Sequence, residues 1–134
     1  MNEPSTLNPR TVPAPVTAMV VHLVHHVTGV PKKSINGNTR TPTAVTARAA
    51  VFKTLAEAGF TQTAIATATG RNRSIVCRNL DDWPQIASRC SVSDEARRVA
   101  LNAVTLWYEN GGEAGTEQVA VAVELPTAQR AYHE

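Results

Sequence analysis

Long apolar runs, cysteines, aromatic residues and, through the middle of the chain, acids are all scarce in this sequence. No run reaches the roughly 18 consecutive apolar residues that a membrane-crossing helix needs. Two cysteines, Cys77 and Cys90, are too few for a disulfide framework and suit a reducing cytoplasm. Six aromatic residues in 134 leave alanine, valine and leucine to fill the interior, which favours close helix–helix contacts. The opening MNEPSTLNPRTVPAP lacks the basic-then-apolar pattern of a secretion signal, and residues 1–15 read as a flexible arm. No glycine-rich loop ending in Lys-Ser or Lys-Thr occurs, so the sequence offers no nucleotide-hydrolysing loop.

The shortage of acids is local. Between residues 31 and 80 eight bases (Lys32, Lys33, Arg40, Arg48, Lys53, Arg71, Arg73 and Arg78) face one acid, Glu57, for a net charge of +7. From 81 to 134 the balance reverses to −5, and the whole chain carries +2. A basic middle followed by an acidic end points to a polyanion-binding surface joined to a segment with another task.

Periodicity places the elements. Val16, Met19, Val20, Leu23, Val24 and Val27 recur at steps of three and four, which predicts a helix that Gly29 and Pro31 stop. PKKSINGNTRTPT reads as loop, with one short helical turn over 32–35. Thr43 is expected to cap the next helix, with Val45, Ala49, Phe52, Leu55 and Ala56 inward and Gly59 at its end. Thr61 caps a short helix anchored by Ile65, Gly70 turns the chain, and a further helix runs to Leu80 with Ile75, Val76 and Leu80 inward. Two short helices around a glycine turn, the second one basic, make a helix-turn-helix pattern. Pro84 is expected to break the chain. Ser93 then opens a helix using Ala96, Val99, Ala100, Ala103 and Trp107. Val119, Val121, Val123 and Leu125 alternate as a short β-strand.

In a helix-turn-helix, the first residues of the second helix meet base edges in the major groove. Asn72, Arg73 and Ser74 stand there: arginine matches the paired acceptors of guanine, asparagine matches adenine, and serine serves either. Arg71 and Arg78, with Lys32, Lys33 and Arg48, are candidates for holding phosphates. The plain alternative is a solvated helix face, against which the net charge of +7 weighs. His22 and His26 have a zinc-compatible spacing but no third ligand, and neither Cys77 nor Ser74 has an evident base, so metal chemistry and catalysis are not expected. Trp83 and Trp107, surrounded by acids, read as core or interface residues.

From Val16 to Leu80 the chain resembles the C-terminal DNA-binding domain of the bacterial chromosomal replication initiator DnaA. The opening MVVHLVHHVTGVPKKSI, the stretch NTRTPTAVTARAAVFKTLAE and the signature Gly70-Arg71-Asn72-Arg73-Ser74-Ile75-Val76 carry the likeness. The family signature is close to Gly-Arg-Asp-His-Ser/Thr-Thr-Val, so Asn72 and Arg73 replace its Asp and His. The resemblance implies that Arg40 enters a minor groove while Asn72, Arg73 and Ser74 read the major groove, at a site other than the usual initiator box. The family's ATPase domain has no counterpart here.

The expectation is therefore a mainly α protein: an arm over 1–15, a helix-turn-helix bundle over 16–84, and an extension over 85–134 with a helix and a short strand. It is expected to bind double-stranded DNA without cofactor or catalysis, as a transcription regulator or replication-control factor. Pairing as a homodimer through the extension is expected because Val99, Ala103 and Trp107 make a face that a small core does not require. The rival expectation is a protein-binding module that blocks or recruits a replication or transcription protein.

Overall fold

The computed structural model describes residues 6–112. Among them are six helices: α1 (Ala14–Thr28), α2 (Lys32–Asn36), α3 (Pro42–Ala58), α4 (Gln62–Thr69), α5 (Arg73–Arg89) and α6 (Ser91–Glu109). The strand expected over Val119–Leu125 lies outside the described residues.

Three of the six helices, α3, α4 and α5, start where a side chain replaces the missing backbone partner. Thr41 Oγ1 accepts from Ala44 N at 3.3 Å and Pro42 occupies the first turn, so the cap of α3 lies two residues before the expected Thr43. Proline suits that place because its absent N–H is not needed there. Thr61 caps α4 as expected, accepting from Ala64 N at 3.1 Å. Four threonines inside or flanking α4 are poor helix formers. Burial of Ile65 offsets them, as does the stop at Gly70, where Arg71 N donates back to Ala66 O at 2.9 Å.

Two expectations about α5 are corrected. The helix does not end at Leu80 but continues through Pro84 to Arg89. Proline costs the bond to the carbonyl of Leu80, but Pro84 is exposed, so water can reach that side of the helix. Burial of Trp83 one residue earlier, with Ile86 packed against the core, keeps the helix in register. Ile75 is not inward either: it is 44% exposed, while Val76 is buried and Leu80 half-buried. The start of α6 also shifts, to Ser91. Ser93 is buried in its first turn, with its hydroxyl 3.1 Å from Cys90 Sγ, rather than capping from outside.

One hydrophobic cluster draws on all six helices, and Val16, Val20, Leu23 and Val24 of α1 and Phe52 and Leu55 of α3 are fully buried in it. Helix α6 packs on α1 and α3 and closes this core from the far side. Val99, Ala103 and Trp107 are buried within their own chain, so they form no surplus face for a second copy. The sequence-based case for a homodimer therefore keeps only its part beyond Gly112, outside the described residues. Arg97 fastens α6 to α3, donating to Glu57 Oε1 at 2.6 Å and to Asp94 Oδ1 at 3.0 Å. Burial alone would lower its pKa, but the bonds to Glu57 and Asp94 outweigh burial and raise it. Residues 7–9, expected to belong to a flexible arm, are docked rather than loose: Leu7 packs on the core and Pro9 O accepts from Thr61 N at 2.9 Å.

Candidate nucleic-acid interface

The bases of residues 31–80 spread over α2, the turn after it, α3, the turn before α5 and the first half of α5, and the exposed arginines among them stand on the turn after α2 and on α5. The turn runs from Gly37 to Arg40. Gly37 is required there for want of space: a Cβ on it would lie 2.7 Å from the carbonyl oxygen of Lys33. That same turn carries Arg40 outward, exposed and with no hydrogen bond or ion pair among the described residues.

Two of the expected phosphate holders face inward. Arg48, on α3, donates from Nε to Ile35 O at 3.0 Å and from Nη2 to Ser34 O at 2.8 Å and Thr39 O at 2.9 Å. Arg71, in the turn before α5, donates from Nη1 to Asn38 Oδ1 at 3.0 Å and from Nη2 to Ile35 O at 3.1 Å and to Gly37 O. Together they collect the carbonyls left open at the end of α2, where cationic donors are favoured by the helix dipole. Burial, and then the nearby charge of Arg71, lower the pKa of Arg48. The two guanidiniums thus latch the Arg40 turn to α3 and to the start of α5. Sequence reasoning had no signal for this, because 23 positions separate the two arginines and their shared acceptor, Ile35 O, belongs to a third element.

The latch shapes a groove of about 260 Å³ between the turn and α5, lined by Asn38, Arg40, Val45, Arg48, Arg71, Ile75 and Asn79. Three arginines and no carboxylate line it. Along α5 the exposed residues Asn72, Arg73, Ser74, Ile75 and Arg78 continue the same basic, acid-free stretch. Arg73 and Arg78 have no ion pair among the described residues. Asn72 has a structural task as well: its Oδ1 caps α5, accepting from Ser74 N at 3.5 Å and from Ser74 Oγ at 3.3 Å. Reading of adenine by Asn72, which needs both oxygen and nitrogen of the amide, would have to release that cap.

Ile75 is the residue that periodicity misassigned. Its neighbour Val76 takes the inward place, so the apolar pair of α5 splits between core and surface. Lys32 and Lys33 are exposed on α2, but Lys32 lines a separate cleft beside α1 rather than the arginine groove. On α1, His25 Nδ1 lies 2.7 Å from Val30 O, and His22 and His26 rings meet edge to face with centroids 4.9 Å apart. No group of three or more His, Cys, Asp or Glu side chains converges among the described residues. No helix among them is long and apolar enough to cross a membrane.

No protein-family model, curated protein or solved structure matches the chain.

Proposed function

We propose that this chain binds double-stranded DNA sequence-specifically and acts by occupying its site, as a transcription regulator or a replication-control factor. One observation carries the reading: Arg48 and Arg71 latch the Arg40 turn beside the exposed, acid-free start of α5. A helix in a major groove and an arginine in the adjoining minor groove are separated by one sugar–phosphate strand, and a groove lined by three arginines suits that strand. Docked this way, Arg73 and Ser74 meet base edges, Arg40 enters the minor groove, and Arg78 with Lys33 holds phosphates. Exposed Ile75, on the same turn of α5 as Ser74, suits the methyl group of a thymine. The likeness of residues 70–76 to the initiator signature supports the same docking, with Asn72 and Arg73 implying a different site. No step of this mechanism uses nucleotide hydrolysis.

Selection of bound sequences from a random DNA pool tests the proposal, followed by Arg73→Ala on the motif recovered. Arg73→Ala should cost about 1–3 kcal/mol on that motif and relax choice at one base position. Recovery of no motif, together with binding that ignores added salt, would sink the DNA reading and favour the protein-binding alternative.

A further inference from the structure

Behind the arginine latch lies a second concavity, between α1 and the α4–α5 turn. An inner part of about 360 Å³ reaches Phe52, Gly70, Arg48 and Arg71, and an outer part of about 410 Å³ opens past Ala18 and Lys32. The two parts adjoin, sharing Thr17, Val21, Asn36 and Ala68 among their lining residues. Sites of this size commonly hold small ligands whose apolar body is oriented by a few polar groups.

We propose that this cleft binds a small monocarboxylic acid with an apolar ring or chain. Three features specify that chemistry. No aspartate or glutamate lines either part, while Lys32, Arg48 and Arg71 do, so the cleft attracts an anion. Arg48 Nη1 and Arg71 Nε donate to nothing among the described residues, so each guanidinium keeps one nitrogen that can donate to an anion. Val21, Ala68 and Phe52 offer an apolar bed. The same two guanidiniums hold the Gly37–Arg40 turn, so the bound acid adds a bond to the latch and stiffens the turn. The site stands independently of the DNA reading.

The test uses the full chain and two probes of equal shape, phenylacetate and neutral phenylacetamide. At ordinary ligand efficiency an acid of about ten non-hydrogen atoms binds near about 1 mM. Titration followed by backbone amide resonances should show phenylacetate saturating, with shifts at Val21, Ala68 and Gly70, and binding about ten-fold or more tighter than the amide. Hydrogen exchange over residues 37–40 should slow at saturation. Ala18→Phe, at an exposed position over the outer opening, should weaken phenylacetate without lowering the melting temperature. Equal binding of acid and amide, shifts confined to exposed arginines of α5, or no saturation well above that concentration would each overturn the proposal. The two-probe comparison on the unmodified chain stands even if Ala18→Phe fails to fold.

Discussion

Replacing Arg71 with alanine separates two roles that give opposite results in the absence of DNA. A phosphate contact contributes nothing to the free protein, whereas the latch contributes to folding. Arg71 donates to Asn38 Oδ1, Ile35 O and Gly37 O. Hydrogen bonds from a charged donor contribute about 1.5–3 kcal/mol each when shielded from water. Asn38 is exposed and can be rehydrated, and Ile35 O keeps its bond from Arg48 Nε, while the part-buried carbonyl of Gly37 loses a donor that water replaces less well. The net loss should therefore be about 2–3 kcal/mol rather than the full sum. At this chain length 1 kcal/mol shifts the melting temperature by roughly 3–5 °C, so Arg71→Ala should melt roughly 6–15 °C lower. Arg71→Lys keeps the charge but loses the fork, and should recover less than half of that. Differential scanning calorimetry gives the first number, and hydrogen exchange over residues 37–40 locates the loosening. An unchanged melting temperature, with a DNA salt slope shallower by about one, would refute the latch and restore Arg71 to the phosphates.

Other perturbations address the frame that holds the interface. Gly70 has a φ of 67° with open space where a Cβ would go, so Gly70→Ala should cost about 1–2 kcal/mol through backbone strain alone, read by urea denaturation. Pro84→Ala restores a helix bond inside α5 at an exposed position and should stabilise by about 1 kcal/mol or more in the same assay; a loss would mean that the proline shapes the helix. Deletion of residues 91–134 removes the cover of α1 and α3. Losing buried Val99, Val104 and Trp107, at about 1.5–3 kcal/mol each, approaches the usual margin of a whole domain. Circular dichroism should therefore show that truncation largely unfolded, whereas a chain ending at Gly112 should keep its helices; a cooperative, folded 1–90 fragment would show that α6 is dispensable.

What the sequence determined by itself was whatever depends on neighbours in the chain. The apolar steps of α1 named its buried face, the glycines at 29, 59 and 70 marked three helix ends, and Thr61 marked a start, because caps and periodicity act within a few residues. The excess of bases over 31–80 marked the same segment that forms the arginine groove.

Tertiary structure decided where competing local signals had to be ranked. Pro84 is a breaker by local rules, but Trp83 buried beside it carries α5 onward. Ile75 and Val76 are equally apolar, and only the angle at which α5 meets α3 and α4 sends one to the core and the other to the surface. The face of α6 looked surplus until α1 and α3 were seen to cover it. Arg48 and Arg71 have the composition of phosphate holders, yet in the folded chain they bond the carbonyls of 34–39. That choice is invisible in sequence because a guanidinium binds a carbonyl and a phosphate through the same donors, and only the fold brings those carbonyls within 3.1 Å of them.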